Sequence, residues 1–268
     1  MSSAIGTKVK ALVLRTAGTN CEDESVRALQ RAGADAEMAR TDAAARDVER
    51  LGAYGILVFA GGFSYGDDLG SGRVWGSELR AGGLGDALRR HVDRGGVILG
   101  VCNGFQVLVE SGLFEPDAAP EERSIALYAN ASNHYECRWV TLREHGGNCA
   151  WLQDGLEWPC PVAHGEGRFV VKTAAALERL RANGQLALTY VGQGAGGAGY
   201  PANPNGAVAD IAGITDPTGR VFGLMPHPER NIDPWNHPEW TRLQAAGQRR
   251  EAGEGLSFWR RMVEFASK

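Results

Sequence analysis

Apolar residues along this chain follow two periodicities. Residues 9–14, 55–59 and 97–100 are short runs rich in Val, Ile and Leu, which predicts strands buried on both faces. Around them, Glu22–Ala32, residues 86–94 and Asn103–Ser111 carry apolar positions three and four apart, which predicts helices with one buried face. Strand and helix in alternation predict an α/β fold with a doubly wound, mainly parallel sheet. Ligands of such sheets bind outside the carboxyl ends of the strands, so chemistry is expected in the loops at residues 16–21, 61–73 and 101–104.

The second half reads differently. Residues 137–142 and 168–172 predict strands joined by loops rich in Gly, His and Trp, an antiparallel extension of the sheet. A helix over residues 174–181 and a strand over residues 185–191 are expected next. Residues 192–206 are dominated by glycine and predict a mobile surface loop. Beyond Asn231, the residues Pro234, Trp235, Pro238 and Trp240 precede a charged helix that ends near Lys268.

Bulk properties narrow the partners. With 268 residues, 43% of them hydrophobic, the chain can bury a full core in one elaborated domain. Its 28 Lys and Arg against 32 Asp and Glu give a net charge of -4 with no run of one sign, which argues against nucleic-acid and anionic-membrane surfaces. No segment has the ~20 apolar residues of a membrane span. Lys8 and Lys10 lead into an apolar run at residues 11–14 that is too short for a secretory signal, so a cytoplasmic location is expected. There the five cysteines are expected as reduced thiols, and without a C-x-x-C spacing no metal site is expected.

The sharpest local signal is at residues 97–106, where a buried strand meets a helix at Cys102, with Gly100 and Gly104 two residues to either side. This is a nucleophile elbow with sulfur in place of oxygen. At a helix start, Cys102 feels the positive end of the helix dipole, which favours thiolate. The backbone N–H of Asn103 is placed to meet an oxyanion. Isolated cysteines are ordinarily core filling, and Cys21, Cys137, Cys149 and Cys160 are read that way.

A thiol nucleophile needs a base and an orienting group. An apolar strand at residues 221–225 ends in Pro226-His227-Pro228-Glu229. In extended backbone, residues two apart point the same way, so Glu229 can lie beside His227. Taken alone, the segment reads equally well as a proline turn. His237-Pro238-Glu239 repeats the tripeptide but follows Asp233-Pro234-Trp235 instead of an apolar strand, so His227 is the preferred base. Gly61-Gly62, at the end of another buried strand, offers a second oxyanion donor or simply a tight turn. His91 is read as decorating a surface helix, and His134 and His145 have no evident partner.

These residues resemble the class I glutamine amidotransferases, through the elbow at residues 100–106 and the His227/Glu229 pair. Within that family the resemblance is to the glutaminase subunits of phosphoribosylformylglycinamidine synthases of purine biosynthesis. It rests on residues 18–21 (GTNC), 61–68 (GGFSYGDD), 137–140 (CRWV), 163–169 (AHGEGRF), 203–206 (NPNG) and 225–230 (MPHPER). The resemblance implies a flavodoxin-like amidotransferase domain at residues 8–230, with residues 231–268 as a C-terminal extension packed on it. It further implies Cys102 as nucleophile, His227 as acid and base, Glu229 as its orienter, and Gly62 and Asn103 as oxyanion donors. Gln106, His164, Glu166 and Arg168 are implied to bind substrate, the last three alternatively to line a synthetase interface.

The implied partners are L-glutamine, a synthetase subunit that uses ATP and magnesium, and a small accessory subunit. No cofactor is expected on this chain, which lacks a Gly-x-x-x-x-Gly-Lys-Ser/Thr phosphate loop. Two other classes stay open at this point: a Cys-dependent hydrolase working alone, and a non-catalytic subunit that keeps the fold.

Overall fold

The apolar runs become the centre of a sheet because helices cover both of its faces. In this computed structural model, which describes residues 8–81, 83–192 and 197–268, the first half holds strands β1 (Lys10–Arg15), β2 (Asp35–Arg40), β3 (Ile56–Phe59) and β4 (Val97–Val101). They alternate with helices α1 (Glu22–Ala32), α2 (Thr41–Arg46), α3 (Arg73–Ala81), α4 (Leu84–Asp93) and α5 (Asn103–Ser111). β3 and β4 are buried at every position, as strands with two covered faces must be.

The second half supplies β5 (Ile125–Tyr128), β6 (Glu136–Glu144), β7 (Glu157–His164), β8 (Arg168–Val171), α6 (Ala174–Ala182), β9 (Leu186–Val191), α7 (Gly199–Ala202), β10 (Ile211–Thr215) and β11 (Val221–Leu224). The tail adds α8 (Trp240–Ala245) and α9 (Glu254–Ala266). The main sheet has the order β2-β1-β3-β4-β11-β10-β9-β6-β7. Neighbours are parallel from β2 to β11 and antiparallel from β11 to β7, so the expected antiparallel extension is one flank of the main sheet.

Three expectations need correction. β8 does not join the extension; it pairs with β5 in a separate two-stranded sheet. The glycine-rich segment is not a surface loop throughout. Residues 193–196 lie outside the described residues, but Asn203 and Asn205 are buried. The Asn203 amide serves Ala207, Asp210 and Gly206, while Asn205 donates to the Tyr190 hydroxyl, so buried side-chain bonds replace missing secondary structure. His91 is buried too, its ring nitrogen 3.3 Å from the Val97 carbonyl.

Register brings the site together. Phe59 pairs with Gly100 and Leu224 with Val101, so β3, β4 and β11 end at one level. Past their carboxyl ends lie Gly61-Gly62, Cys102 and the His227 segment. α9 packs on α1 and on the turn at residues 228–230, with Leu256, Phe258, Trp259 and Met262 fully buried in the common core. Each such side chain contributes roughly 1.5–3 kcal/mol of burial free energy. No helix among the described residues is long and apolar enough to cross a membrane.

Candidate active site

Cys102 occupies the residue between β4 and α5, with φ 51° and ψ -107°. A non-glycine residue held there stores on the order of 1–3 kcal/mol of backbone strain. The surroundings over-determine that position. Its N–H donates to Leu224 O at 2.8 Å. A Cβ on Gly104 would collide with the Phe59 carbonyl, and one on Gly100 would come within 2.6 Å of Gly104 O. The first turn of α5 contains no acidic residue, so the helix terminus acts on the sulfur undiminished. The thiol has one weak contact, to Ala163 O at 3.7 Å, and Cys102 is 6% exposed.

His227 follows β11. Its N–H donates to Pro161 O on β7 at 2.8 Å, and Pro228 starts a 3-10 turn that swings Glu229 under the ring. Nδ1 lies 2.6 Å from Glu229 Oε1, with both side chains buried. An ionised carboxylate only accepts, so Nδ1 donates and Nε2 is left as the basic atom. Nε2 has no hydrogen-bond partner among the described residues. Burial alone would lower the His227 pKa, but the Glu229 carboxylate, then the sulfurs of Cys102 and Cys21, raise it well above the ordinary imidazole value. His237 instead packs against the Trp139 ring at 5.3 Å.

Gly62 adopts φ 144°, a conformation L side chains rarely take, and pairs with Thr19 across an isolated bridge. The Asn103 N–H is one of those a helix N-terminus leaves free. The Asn103 side chain ties the two loops together: Oδ1 accepts from Ser64 N at 3.2 Å, and Nδ2 donates to Gln106 Oε1 at 3.0 Å.

A strained cysteine at a strand-to-helix corner, next to a buried His–carboxylate pair, supplies the groups that thiol nucleophilic chemistry requires. Comparison with known proteins decides the family. Residues 8–266 match the model of the CobB/CobQ-like glutamine amidotransferase domain. Phosphoribosylformylglycinamidine synthase subunit PurQ of Methanococcus maripaludis is 40% identical, over 97% of this chain and 99% of that protein. The subunit of the same name from Dehalococcoides mccartyi is also 40% identical, over 97% and 98%. The chain belongs to the PurQ family of glutamine amidotransferases. A solved structure of PurLQS from Thermotoga maritima superposes with TM-score 0.70 at 27% identity, covering 96% of this chain and 99% of that one.

In this amidotransferase the other expected residues divide. Gln106 Nε2 donates to Glu166 O at 2.5 Å, and Glu166 Oε2 accepts from Ser71 N at 3.2 Å, so both knit the elbow to neighbouring loops. His164 is buried behind the site, Nδ1 3.2 Å from Asn130 Oδ1; burial, then the nearby His227, pushes its pKa down to about 3. Both influences favour the neutral imidazole. Arg168 lies on β8 beside Gly206, and among the described residues no hydrogen bond joins it to Cys102.

Two residues were missed by sequence reasoning. The Asp67 carboxyl sits 3.4 Å from Asn103 Nδ2, its pKa raised by burial and then by the charges of Glu166 and Asp68. Cys21 was read as core filling; it is buried, but its sulfur joins the cluster around His227. The available signal was position, because Cys21 also stands where a parallel strand gives way to a helix. Cys137, read the same way, is exposed. Cys21, His227 and Glu229 place thiol, imidazole and carboxylate atoms within 4.8 Å of one another. The Arg230 guanidinium, 3.1 Å from the sulfur, already supplies positive charge there and opposes a metal cation.

Proposed function

We infer that this chain is the glutaminase subunit of a phosphoribosylformylglycinamidine synthase, hydrolysing L-glutamine to glutamate and ammonia for a synthetase partner. The observation that carries the mechanism is the Cys102 corner beside the 2.6 Å His227–Glu229 pair. Cys102 gives its proton to His227 Nε2, and the thiolate attacks the side-chain amide carbon. The N–H groups of Gly62 and Asn103 receive the oxyanion; one such donor is worth about 2.7–4 kcal/mol in a preorganised site. The imidazolium then protonates the departing nitrogen as the C–N bond breaks, leaving a γ-glutamyl thioester and ammonia. Water loses a proton to His227, attacks the thioester, and releases glutamate while the sulfur is reprotonated. Glu229 keeps the imidazole in one tautomer throughout.

Ammonia is a product in need of a consumer. ATP and magnesium belong to the synthetase that forms the amidine, and an accessory subunit completes the assembly. Phe63, next to Gly62, stacks on Tyr135 with ring centroids 6.4 Å apart, and both rings are exposed. Such an apolar rim beside the site fits a docked partner. With Cys102 nearly covered, glutamine reaches the sulfur only when the surrounding loops move, so glutaminase activity is expected to rise on adding synthetase. The test is reconstitution with that subunit, following ammonia and glutamate. Equal release from the native chain, and none from Cys102→Ala with ammonium-driven amidine synthesis intact, is expected. Glutaminase activity surviving in Cys102→Ala would overturn the assignment.

A further inference from the structure

We propose that Cys21 is a positioning residue for this reaction: its sulfur, held between Asn20 and Arg230, braces the His227–Glu229 pair against the Cys102 corner. The proposal rests on the triad reading above and adds a second thiol to it.

The Cys21 sulfur donates to Asn20 Oδ1 at 3.1 Å and accepts from Arg230 Nη2 at 3.1 Å. Arg230 directly follows Glu229, and its Nε reaches Glu24 on α1 at 3.3 Å. The last turn of the segment is therefore tied to the start of α1 at two points, the Cys21 sulfur and the Glu24 carboxylate. The backbone N–H groups of Asn20 and Cys21 both donate to Gly61 O at 3.2 Å, so the residue before the oxyanion glycine hangs on the same anchor. The Cys21 sulfur lies within 4.8 Å of a His227 ring nitrogen, and a Cβ on Gly61 would lie 3.1 Å from that ring and 3.2 Å from the sulfur, so both groups pack over the Gly61 backbone. Asn231, the next residue, is held by Pro159 O and Glu254, so the segment is fixed on its far side by β7 and α9.

Truncating the thiol removes a side chain beside the imidazole and leaves Arg230 tied to α1 by Glu24 alone. The ring then loses a neighbour that favours its protonated form, which weakens His227 as the acceptor of the Cys102 proton. Burial, the largest influence, raises the Cys21 pKa, so it stays a thiol and does not compete as nucleophile.

The test uses the complex with synthetase. Cys21→Ala is expected to lower kcat about tenfold with KM little changed, the pattern of a lost transition-state arrangement. The pH profile of Cys102 alkylation by iodoacetamide, read by peptide mapping, is expected to move to higher pH. Cys21→Ser, which keeps a donor and an acceptor, should regain most of the rate. An unchanged kcat and alkylation profile in Cys21→Ala would overturn the proposal. So would equal losses in the Ala and Ser variants that track melting temperature while the profile stays fixed. If Cys21→Ala does not fold, Arg230→Gln decides on the same profile: a shift supports the brace and none overturns it. Cys102→Ala run in parallel separates the failures, since its loss of activity beside a normal Cys21→Ala would sink this inference alone.

Discussion

Two cysteines stand at matching corners of the sheet, Cys21 between β1 and α1 and Cys102 between β4 and α5, and both border the same imidazole. Their surroundings differ in three respects. Cys21 has an ordinary backbone, φ -111° and ψ 14°, whereas Cys102 is held at φ 51°. The first turn of α1 carries Glu22, Asp23 and Glu24, which offset the positive helix terminus; the first turn of α5 carries no acid. That terminus is worth roughly 0.3–1 kcal/mol to an anion, more when partly buried. The Cys21 sulfur is held by Asn20 and Arg230, and the hydrogen bond found for the Cys102 sulfur among the described residues is the 3.7 Å contact to Ala163 O. A thiol near a base is therefore not yet a nucleophile. Strain, a helix terminus free of acidic residues and a weakly held sulfur together distinguish Cys102, the thiol that attacks in the mechanism proposed above.

The largest expected difference is catalytic. Cys102→Ala should reduce glutaminase activity by at least about 10³-fold, against the roughly tenfold expected for Cys21→Ala. Comparable losses in the two variants, measured as glutamate release in the complex, would dissolve the distinction.

The strained corner should also be visible in stability. Gly104→Ala forces a methyl into the Phe59 carbonyl and is expected to cost about 1–3 kcal/mol, lowering the melting temperature by several degrees. Gly33→Ala ends α1 with nothing within 4 Å of the new Cβ, so only its positive φ is strained and its loss should be smaller. Equal melting temperatures would mean the Cys102 corner can relax.

A second contrast, between two buried histidines, sharpens the electrostatic argument. His227 has Glu229 beneath it and is raised; His91, at the amino end of β4, has no such carboxylate, and burial pushes it down to about 4. The sign follows. A lowered folded-state pKa means the unfolded chain binds the proton first, so His91 stabilises above its unfolded value of 6.5 and loses that contribution as pH falls toward 4. Between pH 7 and pH 5 the loss is about 2 kcal/mol, read as a falling urea midpoint. His91→Gln should flatten this part of the pH dependence, and an unaltered slope would refute it.

Much of this was legible in the residues. Glu22–Ala32 and Asn103–Ser111 form the expected helices, but only the first has the single buried face its periodicity predicts; the second is buried on all sides apart from Glu110, because it is enclosed by the sheet and its neighbours. β2 was missed because an edge strand with mostly exposed side chains has no apolar run to read. β7 was missed because Pro159 and Pro161 argue against a strand; at the end of the sheet, their missing donors have no ladder to break. Cys102 could be found from local chain physics, whereas the His227 segment reads equally well as an extended pair or a proline turn; the structure closes the His227–Glu229 contact with a 3-10 turn, with the His227 N–H held by Pro161 O. Cys21 stayed hidden because buried cysteines are usually filler, and its partner Arg230 lies 209 residues away.

The most direct measurement is acid-quenched peptide mapping by mass spectrometry of the complex during glutamine turnover. A γ-glutamyl increment on the peptide bearing Cys102, absent in Cys102→Ala and never found on the peptide bearing Cys21, is the expected result. Glutamine consumed with the increment on Cys21, or with no covalent intermediate under conditions that preserve thioesters, would contradict the account.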